Sequence, residues 1–487
     1  MPPTSFAGTG ASNVPAVKAS RGAAWKVLPM SPLKQLAFLA GLLAVLLISA
    51  RPPASAAQAG GERPNVLWIL GDDLGPDLAC YGAPAVKTPN LDRLASEGAR
   101  YLNAFTTAPV CSPSRSALMT AMYQTAIGVH NHRSHRSDGY RLPEGVRTLT
   151  DRLRERGYFT ANLRQVAPGL RASGKTDFNF PVEKPFDGDA WAELKPRQPF
   201  FAQINFSEPH RGPAWPAARR EPGLVDPAKV FVPPYYPEHP VVRDDYANYY
   251  DAIQLLDRKV GQVLELLEKE GLARNTVVVF FGDNGRCHVR DKQWLYDGGT
   301  HIPLIVRWPG KVKPGAVEDR LVSSLDITAQ TLRIAGTELP PGFHGRPFLD
   351  GAKERDYIFG ARDRCDETVD RIRSVRTKRH LYIKNFMPDR PYTQPNAYKE
   401  RQYPALAVMK ELHAAGKLTP GQARFMAPRK PDEELYDLVE DPHQLRNLAG
   451  ASASQPVLQG LRAALDRWIA ETNDQGAIPE KPGAVDR

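Results

Sequence analysis

Two apolar runs, Asn65–Leu70 (NVLWIL) and Thr276–Phe281 (TVVVFF), have the length of a strand, and each stops at a glycine followed by carboxylates: Gly71-Asp72-Asp73 and Gly282-Asp283-Asn284-Gly285. Short uninterrupted apolar runs of this kind suit strands buried on both faces, the habit of a parallel sheet covered by helices. Further strands are predicted at Phe200–Phe206 and Pro303–Arg307. A helix is predicted over Asp244–Glu270, where Tyr249, Ile253, Leu256, Val260, Val263 and Leu267 recur at helical spacing. Strand-like and helix-like segments alternate through residues 62–350, which predicts an α/β domain with a mostly parallel sheet. From about Lys353 the texture changes to short strands at Tyr357–Gly360, Ile372–Val375 and Leu381–Lys384, a polar insertion, and a closing helix near Val457–Glu471. That pattern predicts a smaller α+β domain over residues 351–487.

Composition narrows the function classes. The 487 residues are 42% apolar and 24% charged, which is ordinary for a globular enzyme and excludes a disordered chain. The formal charge of +10 would favour anionic partners, but the Lys and Arg are spread along the chain without the basic block that tracks nucleic acid. An acidic substrate fits this balance, and so does a solvated basic surface with no target. Cys80, Cys111, Cys287 and Cys365 lie far apart, which indicates neither a zinc site nor a dense disulfide framework and leaves room for one bridge. Lys34, the apolar run Leu36–Ala50 and the small residues Ala54-Ser55-Ala56-Ala57 read as an export signal within a leader of residues 1–57, with Met30 as the expected true start. The run is short for a spanning helix, so a secreted or periplasmic mature chain without a stable membrane span is expected.

The chemistry is concentrated at the strand ends. In open α/β sheets the ligand crevice lies beyond the carboxyl ends of the strands, where Asp72, Asp73, Asp283 and Asn284 offer an all-oxygen donor set suited to Ca²⁺, or Mg²⁺, more than to zinc. Each motif taken alone also describes a plain turn. The segment Cys111-Ser112-Pro113-Ser114-Arg115 puts a cysteine just ahead of a predicted helix, where free N–H groups favour a thiolate or a bound anion. A buried or capping cysteine is the plainer alternative.

C-x-P-S-R, Asp-Asp after a first strand and Asp-Asn-Gly after a later one together resemble the type I, formylglycine-dependent sulfatases. The likeness runs from about residue 63 to 470. It implies an alkaline-phosphatase-like α/β domain with an antiparallel C-terminal subdomain, and a divalent cation held by Asp72, Asp73, Asp283 and Asn284. It further implies conversion of Cys111 to formylglycine (3-oxoalanine) by a formylglycine-generating enzyme, with Arg115 holding the aldehyde hydrate. By position in the matched motifs, His210 of Asn205-Phe206-Ser207-Glu208-Pro209-His210 would contact the sulfate and leaving group, and Lys292 would bind sulfate. A hydroxyl of the hydrate would then attack sulfur in line, and loss of the second hydroxyl's proton would expel sulfate.

Two positions depart from the family pattern. Ala121 replaces the glycine that usually follows the signature threonine. The family's G-K-x-H appears as Gly174-Lys175-Thr176-Asp177, so Lys175 can still pair with sulfate while Asp177 stands in the histidine's place. His130, His132 or Asp177 itself would then have to supply the missing base. Val232-Pro233-Pro234-Tyr235, Arg373-Ser374-Val375 and Glu434-Leu435-Tyr436-Asp437 resemble the heparan N-sulfatase (sulfamidase) group, which places Asp366 and Glu367 toward the sugar. The resemblance therefore implies hydrolysis of sulfate esters or sulfamates of a sulfated carbohydrate, such as heparan sulfate fragments. A phosphoester or phosphonate hydrolase and a non-catalytic glycan-binding protein are the competing readings.

Overall fold

Strand β1 (Asn65–Gly71) is buried along its whole length and sends alternate side chains into two cores. Leu67 and Ile69 pack on one face with the helix Pro240–Lys269, and Val66, Trp68 and Leu70 pack on the other. Both faces are apolar, which explains why the run lacks the polar alternation of a half-exposed strand. The Trp68 indole satisfies its N–H on Thr331 Oγ1 at 3.1 Å and meets Phe201 and Phe281 edge-on, so this large side chain is buried without an orphaned donor.

The computed structural model describes residues 63–480 apart from 135, 137 and 350; the expected leader and the Met30 start lie outside the described residues. The remaining strands of the large sheet are β2 (Ala99–Phe105), β3 (Phe159–Ala167), β4 (Leu170–Arg171), β5 (Gly188–Ala190), β6 (Phe200–Phe206), β7 (Thr276–Gly282), β8 (His301–Arg307) and β9 (Ala316–Ser323). Their order is β4-β3-β6-β1-β7-β8-β2-β9, with β5 beside β3. The β3–β6–β1–β7 centre is parallel, and β8 runs antiparallel to both neighbours. This is the expected mostly parallel α/β sheet.

The long helix begins at Pro240, four residues before the predicted start at Asp244, because His239 caps it: His239 Nδ1 accepts the Val241 N–H at 3.2 Å, and proline at the first position needs no partner. Its predicted apolar face, from Tyr249 to Leu267, is fully buried.

In the C-terminal region β10 (Ile358–Arg362), β11 (Ile372–Arg376), β12 (His380–Asn385) and β13 (Glu433–Asp437) form a four-stranded antiparallel sheet. The closing helix Gln455–Glu471 packs on it through Leu458, Leu461, Leu465 and Trp468, a stripe at helical spacing. The described residues pack as one unit. Among the described residues no helix is long and apolar enough to cross a membrane. All four cysteines are free, so the one bridge that the sequence left open is not formed.

Candidate active site

Strand register builds the site. Gly71 pairs with Gly282 on one side and Phe206 on the other, so β6, β1 and β7 end level and their following residues emerge together. Asp73 takes a left-handed conformation (φ 63°), which Asp tolerates better than most residues. Its N–H donates to Asp283 Oδ1 at 2.9 Å, and Asn284 Nδ2 donates to Asp73 Oδ1 at 2.8 Å. The Asp-Asp and Asp-Asn turns thus lock onto each other.

Cys111 opens a ten-residue helix, Cys111–Thr120, in which every residue is buried. Residues four apart share a helix face, so Arg115 projects beside Cys111. Its Nε donates to Asp283 Oδ2 at 2.8 Å, its Nη1 donates to Asn205 Oδ1 at 2.6 Å, and its Nη2 lies 3.6 Å from Asp72. The Cys111 sulfur lies 3.5 Å from Asp72 Oδ1, 3.8 Å from Asp73 Oδ1 and 3.6 Å from Lys292 Nζ. Burial pushes this thiol well up, against the pull of Lys175 and Lys292.

Lys175 Nζ bonds Asp72 Oδ2 at 2.8 Å, and Lys292 Nζ bonds Asp73 Oδ2 at 2.7 Å. Burial opposes ionisation of both carboxylates. Lys175, then His210, Arg115 and Lys292, overcome it at Asp72, which stays well below the ordinary carboxyl range; Lys292 and His210 do so at Asp73, which is also lowered. Burial and the neighbouring Asp72 instead push Asp283 up. His210 Nε2 stands 3.6 Å from Asp73 Oδ2, and its Nδ1 lies 2.6 Å from the Arg211 carbonyl, which fixes Nδ1 as the donor to that carbonyl.

Part of the site has the oxygen donors that suit a hard cation. Asp72, Asp73, Cys111 and His210 each bring a ligand atom within 4.8 Å of the others. Asn284 Oδ1 is buried with no hydrogen-bond partner among the described residues, a deficit of about 1–3 kcal/mol for an amide oxygen that a cation would satisfy. The expected ligand Asp283 falls outside this group, since Arg115 holds Oδ2 while two backbone N–H groups hold Oδ1.

The remaining predicted residues fall at the rim. Asp177 (φ 53°) lies 3.6 Å from Lys175 through Oδ2, and Lys175, Arg115 and His132 outweigh burial to hold its carboxyl down. Asp366 pairs with His132, Nδ1 to Oδ1 at 3.0 Å, and accepts from Gln293 and Asn396 at 3.2 Å each. Glu367 is exposed and receives the Ala397 N–H, a capping task that turns it from the cluster. His130 is buried beside Asp363, and burial lowers its pKa.

Several residues of the site take their role only from the fold. Asn205 heads the quoted Asn-Phe-Ser-Glu-Pro-His stretch, and its bond to Arg115 becomes visible only once β6 is placed beside β1. Tyr398, whose ring centre lies 6.0 Å from Lys292 Nζ and 6.3 Å from the His210 ring, and Lys399 come from the polar insertion, where no residue spacing marks them.

Comparison with known proteins finds sulfatases. The family model described as "Sulfatase" matches residues 64–183 and 186–337, and the one described as "N-sulphoglucosamine sulphohydrolase, C-terminal" matches residues 285–394. An ulvan-active sulfatase of Formosa agariphila is 34% identical over 468 residues, covering 86% of this chain and 77% of its own. Human N-sulphoglucosamine sulphohydrolase is 27% identical over 482 residues, covering 86% and 93%. The solved phosphonate monoester hydrolase of Agrobacterium radiobacter shares the fold at TM-score 0.61 and 19% identity, covering 85% of this chain and 97% of its own.

Proposed function

The chain belongs to the sulfatase family, and from that premise we propose that it is an exported hydrolase of a sulfated glycan whose Cys111 is oxidised to formylglycine beside a bound Ca²⁺ or Mg²⁺. The observation that carries the reading is the charge balance around Cys111. Asp72, Asp73 and Asp283 face Arg115, Lys175 and Lys292 in direct contact, so the side chains alone come close to neutrality. A divalent cation on Asp72, Asp73, Asp283 and Asn284 would leave the site positive, as an anionic sulfuryl group requires. Formylglycine would supply a hydrated aldehyde as nucleophile, and the cation would supply the charge that acidifies it.

The chain's own residues have separate tasks. Arg115, fixed by Asp283 and Asn205, holds its guanidinium against position 111. Lys175 and Lys292 approach from two sides of the carboxylates and neutralise the sulfuryl oxygens. His210, with Nδ1 committed to the Arg211 carbonyl, presents Nε2 beside Asp73, from which its imidazolium form would give a proton to the departing oxygen or nitrogen. The sulfated-carbohydrate assignment draws support from the ulvan-active and N-sulphoglucosamine relatives.

The test is peptide mass spectrometry on the Cys111 segment of protein isolated from its native host, with rates on N-sulfated glucosamine, an aryl sulfate and the matched aryl phosphate. An aldehyde at position 111 and preference for sulfate are expected. An unmodified thiol in active protein would overturn the cofactor, and faster phosphate cleavage would overturn the substrate class.

A further inference from the structure

Lys399 is a buried lysine with an unusual pair of partners. Its Nζ donates to the backbone carbonyls of Val289 at 3.1 Å and Lys292 at 3.0 Å, and among the described residues no carboxylate forms an ion pair with it. It sits near the rings of Trp294 and Tyr403, 5.8 and 5.7 Å from their centres. Burial, with the Arg362 charge adding to it, brings the amine down to about 7, while Cys365, Asp366 and Asp291 pull the other way. Lysine is almost never enclosed without a counter-charge, so this placement needs a reason.

The reason is the loop it grips. Between β7, which ends at Gly282, and the short helix Asp297–Thr300, the chain forms only turns and bends, and its backbone groups must find partners elsewhere. Lys399 supplies two of them, and its acceptors bracket the residues leading to the Lys292 side chain at Asp73 and Cys111. The short helix that carries it, Ala397–Gln402, is itself seated on the site: Asn396 bonds Asp366, the Tyr398 ring lies beside Lys292 and His210, and the Gln402 carbonyl accepts from Arg211 at 3.0 Å. Asn396 caps this helix by accepting the Lys399 N–H at 2.8 Å.

We propose that Lys399 is a positioning residue for sulfate binding, holding the Lys292 ammonium in place through the two carbonyls of its loop, so that the polar insertion of the C-terminal region completes the active site. This rests on Lys292 contacting sulfate, as argued above.

A double-mutant cycle on the full chain tests it, with inorganic sulfate as the probe, affinity read by calorimetry, and thermal unfolding as the check on folding. Lys399→Met, which fills similar space without a donor, should weaken sulfate binding about tenfold, since small misplacements of a binding group have effects of this size or larger. Lys292→Ala should weaken it at least as much, and the double variant should bind no worse than Lys292→Ala, because coupled residues are non-additive. Lys399→Gln, which keeps one donor, should fall between wild type and Met, and it carries the test if the Met variant does not fold. Additive losses, or wild-type affinity in either Lys399 variant, would overturn the role of Lys399 alone. Unchanged affinity in Lys292→Ala would overturn the sulfate-binding assignment of Lys292, and the role of Lys399 with it.

Discussion

His132 sets Nδ1 3.0 Å from Asp366 Oδ1, joining the loop after the Cys111 helix to the loop after β10. The ring is 3% exposed, lies within electrostatic reach of Asp177 and Lys292, and has its neighbour anchored by Arg133 N–H to Ser112 Oγ at 2.7 Å. His130 faces Asp363 and Arg373 instead. Of the histidines that could serve in place of the one absent at Asp177, His132 therefore has the placement. His132→Gln should lower kcat/KM on a sulfated substrate by about 100-fold, the scale of losing one acid–base group. His130→Gln should stay within about threefold on that same scale. Equal losses in the two variants would defeat the assignment.

The orphaned Asn284 Oδ1 leads to a prediction about the cation that needs no turnover. An ion that binds only the folded chain stabilises it by mass action, by about 2.7 kcal/mol at a hundredfold excess over Kd. Ca²⁺ added to chelator-treated protein should raise the thermal midpoint in a concentration-dependent way, and Asn284→Ala should remove most of that shift. A midpoint that ignores both Ca²⁺ and Mg²⁺ would refute the site.

Much of this site was legible in the sequence because its carriers are strands buried on both faces. Asn65–Leu70, Phe200–Phe206 and Thr276–Phe281 announce themselves as apolar runs, and the groups that follow them come to lie side by side once the strands pair in register. Strands β2 and β9 did not announce themselves. Ala99–Phe105 mixes Arg100 and Asn103 among its buried residues, and Ala316–Ser323 begins as a partly exposed edge with Glu318 and Asp319; neither shows a clean period. The contributions of Tyr398, Lys399 and Asn396 were illegible for a different reason. They arise from tertiary contacts that span 30 residues for Asn396 and 107 to 110 for Lys399, and local spacing does not record such contacts. Glu367 shows the converse, a carboxylate placed near the site by motif position but committed to a helix N-terminus by its neighbours.

The departure at Ala121 also has a measurable consequence. Ala121 follows the Cys111 helix in the left-handed region, at φ 52°, with its N–H on Leu118 O at 3.4 Å. A β-carbon there crowds the following carbonyl at about 1–2 kcal/mol, and glycine does not. Glycine gives back part of this through its freer unfolded chain, so Ala121→Gly should raise stability by about 0.5–1 kcal/mol. Urea unfolding at constant m-value measures it. A destabilised variant would show that the methyl group's packing outweighs the strain.

The depressed amine of Lys399 makes stability depend on pH in a defined direction. Its ordinary value of 10.5 falls to about 7 in the folded chain, so between these values the unfolded state binds more protons than the folded one, and the contribution of this group to stability rises with pH across that window. Below about pH 7 both states are protonated, and the full penalty of burying the charge is present. Lys399→Met removes that penalty and also leaves the Val289 and Lys292 carbonyls without this donor, a loss that does not depend on pH. The difference in thermal midpoint, Met variant minus wild type, should therefore be most favourable to the variant near pH 6 and should move steadily toward the wild type up to pH 10. A difference that stays flat over this range would mean that Lys399 keeps an ordinary pKa in the folded protein. A difference that moves the other way would mean that an unrecognised counter-charge stabilises the buried ammonium.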